Sequence, residues 1–248
     1  MVERIASGIK GFDELIQGGF PKGSLILLSG TPGSYKTIFC LQTLYNNALK
    51  GIKCLYINYE QDEVGIKEQM KQFGWDAEKA KNLVIKCVNP SSGDTVSLLK
   101  DDLTKIKPLI LVVDSLASIV SNPISPEEIS EMGMVKLVKQ IIPVPLDVQN
   151  INRLIVKRIL DEVKKSGVTG LLTNELVENQ PGLSRDTISE FMSDGVIVTM
   201  DTGIAGERSV SMSIRKMRWT KIDKSYRSLE IGDKGLVVES ESSSVLMK

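Results

Sequence analysis

The chain has 248 residues, of which 42% are hydrophobic and 25% are charged, and its formal net charge is zero. These values are typical of a globular protein without an overall field that would attract nucleic acid or an anionic membrane. The complete absence of histidine excludes histidine-based catalytic triads and histidine metal sites. No secretory signal and no uncharged apolar run of about 18 residues is evident, so we expect a cytoplasmic protein without membrane insertion.

The length is sufficient for one large α/β domain, which we predict over residues 1–238, followed by a flexible, serine-rich tail over 239–248. The three cysteines, Cys40, Cys54 and Cys87, are scattered and each lies in an apolar pattern. They form neither a disulfide framework nor a paired zinc-ligand spacing, and buried thiols are therefore expected.

Apolar runs alternate with helical patterns over the first two thirds of the chain. The predicted strands cover residues 25–28, 54–59, 83–88, 109–113, 168–173 and 195–200. The predicted helices cover residues 38–49, 62–73, 94–105 and 151–165. This alternation predicts a mainly parallel central sheet with helices on both faces. Two later runs, 209–219 and 226–231, predict an antiparallel hairpin at the C-terminal edge, and residues 121–150 are interpreted as a proline-rich excursion with a short helix over 127–138.

A phosphate-binding loop is predicted between the first strand and the first helix. The run from Gly30 to Thr37 follows an apolar strand and ends in Lys-Thr at a helix start, which is typical of that loop. A helix N-terminus offers unpaired N–H groups and a partial positive charge to a phosphate. Lys36 is then expected on the β- and γ-phosphates, and the Thr37 hydroxyl on Mg²⁺. The predicted nucleotide-binding residues of the loop are Gly30, Thr31, Pro32, Gly33, Ser34, Tyr35, Lys36, Thr37 and Ile38.

The loop departs from the usual pattern at one position, because Tyr35 stands where a glycine normally precedes the lysine. Glycine adopts positive φ without strain, whereas a tyrosine in that conformation is strained by roughly 1–3 kcal/mol. Nucleotide binding is compatible with this change, while fast hydrolysis is placed in doubt. An ordinary strand-to-helix turn without a ligand is the alternative interpretation.

Polar residues fall at the C-terminal ends of three further predicted strands. In parallel α/β sheets ligands bind outside these ends. Asp114 could hold Mg²⁺ or could cap a helix; Glu60 could act on the water that attacks the γ-phosphate or could be a surface residue. Asn174 could sense the γ-phosphate or could serve only in a turn. The convergence of these positions with the loop favours a nucleotide site.

The chain resembles the KaiC-type branch of the RecA-like ATPases, which includes RadA-related proteins. The matching stretches are residues 8–15, 18–24, 59–61, 73–76, 113–115, 172–175, 193–197 and 216–220. The resemblance implies a RecA-like P-loop fold, ATP or ADP with Mg²⁺ as ligands, and a homo-oligomer such as a hexameric ring with ATP between subunits. Gln61 departs from the family pattern, since it replaces the second glutamate of a catalytic pair that begins at Glu60.

The resemblance also assigns a role to a late basic stretch. Lys216, Met217, Arg218 and Thr220 match a family segment that meets the ATP of the neighbouring subunit, so Lys216 and Arg218 are expected to act in trans on its phosphates. A solvated basic strand is the alternative from the residues alone. Trp219 stands in place of a glycine, and this substitution affects the details of the expected contact.

Three functions remain open from the sequence. The first is a slow Mg²⁺-dependent ATPase whose assembly depends on nucleotide. The second is a recombination accessory that binds single-stranded DNA, although residues 121–150 and 175–190 are net acidic, which disfavours contact with phosphate backbones. The third is a non-catalytic scaffold with a degenerate nucleotide site, for which Tyr35 and Gln61 are the evidence.

Overall fold

The computed structural model describes residues 2–89, 94–121, 148–177, 182–202 and 209–239. The strands are β1 (Arg4–Ile5), β2 (Phe20–Pro21), β3 (Leu25–Gly30), β4 (Cys54–Asn58), β5 (Leu83–Cys87), β6 (Ile110–Asp114), β7 (Thr169–Glu175), β8 (Gly195–Asp201), β9 (Val210–Met217), β10 (Arg227–Gly232) and β11 (Gly235–Val238). The helices are α1 (Lys36–Ala48), α2 (Glu63–Gln72), α3 (Thr95–Ile106), α4 (Leu116–Ser121), α5 (Val148–Ser166) and α6 (Ser189–Met192), with a 3-10 helix at Asp13–Ile16. The predicted helix over 127–138 and the predicted tail from 240 onwards lie outside the described residues.

The described residues contain a nine-stranded sheet in the order β11-β10-β9-β8-β3-β7-β6-β4-β5. The six strands from β8 to β5 run parallel to their neighbours, whereas β9, β10 and β11 are antiparallel. Because parallel strands need crossover connections, the helices between them cover the sheet faces. The predicted mainly parallel sheet with an antiparallel C-terminal edge is therefore confirmed.

The central strands β3, β4 and β6 are buried on both faces, as their continuous apolar runs predict. On one face, α1 and α2 pack against alternate residues of the central strands, such as Ile26, Tyr56 and Val112. On the other face, α3, α4 and α5 pack against the intervening residues, such as Leu55 and Leu111. The period of two along each strand thus divides the chain's apolar residues between two cores.

Aspartates begin two of the outer helices. The Asp62 side chain accepts a hydrogen bond from Gly65 N at the start of α2, and Asp94 accepts from Val96 N and Ser97 N at the start of α3. Such caps satisfy backbone donors that have no partner within the helix. The N-terminus of α1 differs, since its cap position is Tyr35 and no side chain caps it.

Several short elements of the fold were not predicted, among them the helices α4 and α6. The small antiparallel pair of β1 and β2 joins the N-terminal segment to the approach of β3. Strand β11 adds an outermost strand beyond the predicted hairpin, and the Gln42 side chain of α1 exchanges two hydrogen bonds with the backbone of Leu236. These are short segments whose positions depend on tertiary contacts rather than on their own pattern.

Candidate functional site

The loop between β3 and α1 has the backbone shape that a phosphate-binding loop needs. Gly33 has φ of 76° and Tyr35 has φ of 66°, so both residues occupy the left-handed region. The tyrosine therefore takes the conformation that the family glycine would take, at the expected cost in strain. Its partly buried ring packs against the core beneath α1, which provides a contact that offsets part of this strain.

The start of the loop is closely packed against β8. A Cβ atom on Gly30 would lie 2.5 Å from Ser34 Oγ, so that no larger residue fits there. Ser34 Oγ is 2.8 Å from Thr199 Oγ1, and it donates to the Thr31 carbonyl at 2.7 Å. Asp201 N donates to Thr31 Oγ1 at 3.1 Å. These contacts hold the loop in shape from its neighbouring strand, and Thr199 was not recognised from the sequence.

Lys36 bends over the loop from the first turn of α1. Its Nζ donates to the carbonyls of Gly30 and Thr31 at 2.8 and 2.9 Å. Burial lowers the pKa of Lys36, while the negative charges of Asp114, Glu175 and Glu60 act in the opposite direction. The lysine thus stands at the centre of a group of acidic side chains at the carboxyl edge of the sheet.

Asp114 lies at the end of β6 and is 2% exposed. Its Oδ2 accepts from Thr37 Oγ1 at 2.8 Å and from the Tyr56 hydroxyl at 2.7 Å, and its Oδ1 accepts from Thr173 Oγ1. Burial raises the pKa of this carboxyl, and the three hydroxyl donors lower it again in part. The structure therefore joins the two predicted metal ligands, Thr37 and Asp114, in direct contact.

Glu60 is exposed, two residues beyond the end of β4. Its carboxylate accepts hydrogen bonds from Ser115 Oγ and, at 2.8 Å, from Ser118 Oγ. The backbone of Glu60 and Gln61 is held by Asn58, whose Oδ1 accepts from both N–H groups at 2.6 Å. The predicted base therefore has a defined position, open to solvent, beside the residue that follows Asp114.

Asn174 is fully buried near the end of β7. Its Nδ2 donates to Asp186 Oδ2 at 2.6 Å, and its Oδ1 accepts from Glu175 N at 2.8 Å. Asp186 also accepts hydrogen bonds from Ser184 and Ser189. The Asn174 side chain therefore belongs to a buried cluster of polar side chains. A contact between Asn174 and a phosphate stays a prediction.

The structure does not bring the basic stretch to this site. Met217 pairs with Gly195 at the start of β8, which is the opposite end of the sheet from the loop. The paired residues run from Gly195 to Thr199, which is four steps along the strand, or about 13 Å. Lys216 Nζ donates to the backbone carbonyls of Glu190, Phe191 and Ser193, and Arg218 pairs with Asp194 at 2.9 Å.

The residues present fit a nucleotide with Mg²⁺. The first-turn N–H groups of α1 have no side-chain cap, and such groups bind phosphate. A hydroxyl and a carboxylate are the hard oxygen ligands that Mg²⁺ prefers. In the described ranges no three Cys, Asp or Glu side chains gather into a group that could hold a metal.

Sequence reasoning missed the residues that support the site. Tyr56 and Asn58 were predicted only as part of the strand over residues 54–59, and Thr173 only as the last residue of the strand over residues 168–173. Tyr56 and Asn58 are two apart and therefore lie on one face of β4. Hydrogen-bonding side chains at this spacing, next to the carboxyl end of a buried strand, were the available signal.

Comparisons with known proteins agree with this geometry. A family model described as "ATPase: KaiC" matches residues 5–243. A UPF0273 protein of Aeropyrum pernix is 27% identical over 96% of this chain and 94% of its own length. The circadian clock protein KaiC3 of Synechocystis is also 27% identical, but the chain spans only 46% of that protein.

A solved structure shows the same fold. The crystal structure of a KaiC-like protein from Pyrococcus horikoshii has a TM-score of 0.79 and 31% identity, over 96% of this chain and all of that one. Among the residues that the structure describes, no helix has the length and hydropathy that a membrane span requires. The predicted RecA-like fold is confirmed, and the chain belongs to the KaiC-type family of ATPase domains.

Proposed function

We propose that the protein binds ATP with Mg²⁺ at the loop between β3 and α1 and hydrolyses it slowly as a homo-oligomer. The observation that carries this proposal is the contact of Thr37 Oγ1 with Asp114 Oδ2 at 2.8 Å, beside an uncapped helix start and the bent Lys36. This contact places a hydroxyl and a carboxylate at one point of the sheet edge where phosphates and Mg²⁺ are bound in P-loop proteins.

Each residue then has a defined task. The first-turn N–H groups of α1 and the Lys36 ammonium bind phosphate oxygens. Thr37 and Asp114 hold Mg²⁺, which supplies neutralisation of phosphate charge when it is bound. Glu60, which is exposed and held by Ser115 and Ser118, orients the attacking water and accepts its proton.

The slow rate is expected from two substitutions at the site, since Tyr35 stands in place of the loop glycine and Gln61 in place of the second glutamate. Further cations are expected from a neighbouring subunit. No side chain of the described basic stretch reaches the loop of its own chain, because Lys216 and Arg218 lie at the far end of the sheet. Cations that stabilise developing phosphate charge can raise the rate of such reactions by about 10³–10⁵. In a head-to-tail oligomer, Lys216 and Arg218 of one subunit would reach the nucleotide of the next.

The test is calorimetric titration of the purified protein with ATP in the presence of Mg²⁺. Micromolar binding is expected, and Lys36→Ala should weaken it by about tenfold to a hundredfold because a charged hydrogen-bond donor is lost. Lys105→Ala is the matched control, since it removes an exposed lysine that pairs with Asp101 on α3. Mg²⁺ without nucleotide should give no binding signal.

The absence of binding to wild-type protein at millimolar ATP would contradict the proposal. The chain would then be a scaffold with the fold of an ATPase, which is the alternative that Tyr35 and Gln61 suggest. Binding that Lys36→Ala leaves unchanged would place the nucleotide elsewhere on the molecule.

A further inference from the structure

Two buried polar residues of β4 link the candidate metal ligand to the candidate base. Tyr56 is fully buried and Asn58 is 1% exposed. The Tyr56 hydroxyl lies 2.7 Å from Asp114 Oδ2, and Asn58 Nδ2 lies 2.9 Å from the Tyr56 hydroxyl. Asn58 Oδ1 accepts from the N–H groups of Glu60 and Gln61 at 2.6 Å. The roles described above use neither side chain.

The direction of each hydrogen bond in this chain follows from its fixed donors. Two backbone N–H groups face one end of the Asn58 amide, so that end must be the oxygen and the other end must be the NH₂ group. The NH₂ group can only donate, and the Tyr56 hydroxyl therefore accepts from Asn58. The single hydroxyl proton of Tyr56 is therefore donated to Asp114. Each polar atom in this series of hydrogen bonds has a partner.

A second path connects the same two carboxylates. Ser115, which follows Asp114 in the sequence, donates to the Glu60 carboxylate, and Tyr59 N donates to the Asp114 carbonyl at 2.8 Å. The side-chain path through Tyr56 and Asn58 and the path through Ser115 therefore form a closed ring. Tyr56, Asn58 and Asp114 are buried members of this ring, and satisfied hydrogen bonds in a buried setting restrict their movement, while the Glu60 carboxylate at its edge is exposed.

We propose that Asn58 and Tyr56 are positioning residues that hold the Glu60 segment and the Asp114 carboxylate in a fixed relation to each other. The inference rests on the proposed function, since it gives these residues a task in a site for ATP and Mg²⁺. Its distinctive consequence is coupling. A change at the Asp114 end of the chain should be detected at the backbone of Glu60, and a change at Asn58 should be detected in the Mg²⁺ requirement.

The first measurement compares Tyr56→Phe with Tyr45→Phe. Both remove one hydroxyl from a buried tyrosine, but the Tyr45 hydroxyl only accepts from Asp76 N, away from the site. Calorimetry gives the Mg²⁺ concentration at half-maximal ATP binding. We expect Tyr56→Phe to raise it by about tenfold, as the loss of a hydrogen bond to a charged group implies. ATP binding without Mg²⁺ should be unchanged in both variants.

The second measurement is amide hydrogen exchange in the nucleotide-free protein. Asn58→Ala should speed exchange at Glu60 and Gln61 by about fivefold, because their acceptor is lost. Tyr56→Phe should speed exchange at the same two amides, since Asn58 then loses the group that orients its side chain. Combined in one chain, the two substitutions should raise the Mg²⁺ requirement by less than the product of their separate effects.

The possible outcomes separate this inference from the proposed function. The inference alone is overturned if wild-type protein binds MgATP but Tyr56→Phe and Tyr45→Phe have the same Mg²⁺ requirement and the same exchange rates. Wild-type protein that does not bind MgATP overturns the proposed function and, with it, the Mg²⁺ part of the inference. A purely structural role would lower the melting temperature without changing the Mg²⁺ requirement.

Discussion

Tyr35 shows how a single side chain can replace a glycine without changing the shape of its loop. Its φ of 66° lies where glycine is unstrained and where other residues lose about 1–2 kcal/mol. The partly buried ring packs against the hydrophobic core that includes residues of α1. The left-handed conformation that the sequence pattern requires is therefore present in spite of the substitution.

Replacing this residue tests whether the ring hinders the nucleotide. We expect Tyr35→Gly to change the affinity for MgATP by less than about threefold, because the backbone already has the conformation that glycine would adopt. The free energy of unfolding should change by less than about 1 kcal/mol, since the lost packing of the ring is offset by the relief of strain at φ of 66°. Calorimetry and denaturant unfolding measure the two effects. A large gain in affinity would show instead that the ring obstructs the site.

Asp114 combines burial with negative charge, and this combination predicts an unusual dependence of stability on pH. Burial raises the pKa of Asp114 above the ordinary value of 3.8, and the negative charge of Glu60 raises it further. The hydrogen bonds from the three hydroxyl donors lower the pKa, but by less than burial raises it. For an acid whose folded pKa is raised, the folded state holds the proton more tightly than the unfolded state. Its contribution to stability is present at low pH and is lost as the pH rises from the unfolded to the folded pKa.

We therefore expect the unfolding free energy of the wild-type protein to fall relative to that of Asp114→Asn as the pH rises above about 4. A tenfold difference in the ionisation constant corresponds to about 1.4 kcal/mol. Denaturant unfolding of the nucleotide-free proteins between pH 4 and pH 8 measures the difference. A difference that is constant across this range would show that burial does not raise the pKa of Asp114.

At the scale of elements, the N-terminal strand pair supports the basic stretch at the far end of the sheet. Arg4 of β1 donates from its guanidinium to the carbonyls of Ile16, Gly19 and Trp219 and to Thr220 Oγ1. The turn after β9 is thus tied to the segment before β3. Trp219 is 62% exposed, with a positive φ of 57°, in this turn.

Removing the arginine should loosen this turn. We expect Arg4→Ala to lower the free energy of unfolding by about 2 kcal/mol, because several partly buried hydrogen bonds are lost together. Lys22→Ala, at the residue that follows β2, is the control, since the exposed ion pair of Lys22 with Glu3 contributes at most about 1 kcal/mol. Chemical denaturation measures both variants, and equal losses would argue against a clamp at Arg4.

At the scale of the whole molecule, exposed acidic residues beside the loop and the predicted trans-acting cations lie at opposite ends of the sheet, although Glu63 pairs with Lys67 and Arg218 with Asp194. The carboxyl end carries the exposed acidic residues Glu60, Asp62 and Glu63, and the opposite end carries Lys216 and the half-exposed Arg218. Surfaces of opposite charge at opposite ends favour head-to-tail contacts, which close into rings when the rotation between subunits permits. The arrangement supports the proposed contact of Lys216 and Arg218 with a nucleotide on the next subunit.

Mixing two inactive variants tests this contact. Lys36→Ala removes the lysine of the phosphate-binding loop but keeps the basic stretch. Lys216→Ala removes a lysine of the basic stretch but keeps the phosphate-binding loop. Each variant alone should lose ATPase activity by about tenfold or more. An equal mixture should recover up to about one quarter of the wild-type rate, because random assembly pairs an intact loop with an intact basic stretch at one interface in four.

The control for this experiment is Lys36→Ala alone at the same total protein concentration. Turnover and molecular mass are measured in parallel. Assembled protein that shows no recovery in the mixture would place Lys216 outside the neighbour's site. No chain in the mixture carries both an intact loop and an intact basic stretch, so recovery at the molecular mass of a single subunit would contradict the proposed contact between subunits.

Much of the fold and part of the site could be predicted from local pattern. Apolar runs of five or six residues between helical periods determine strands such as β3 and β6, and a run that is apolar on both faces determines burial in a parallel sheet. The loop residues, Asp114 and Glu60 were recognisable because ligand-binding residues follow the carboxyl ends of such strands. The left-handed conformation at Tyr35 followed from its place in the motif.

The chain's own sequence thus determined the order of strands and helices, the phosphate-binding loop and the carboxylates at the sheet edge, since each depends on residues close together in the chain. Only the tertiary structure decided which side chains meet across strands. It joined Tyr56 to Asp114, Ser115 to Glu60 and Asn174 to Asp186, and it separated Lys216 from the loop of its own chain. The physical reason is that such contacts depend on strand order and register, which no single stretch of sequence contains.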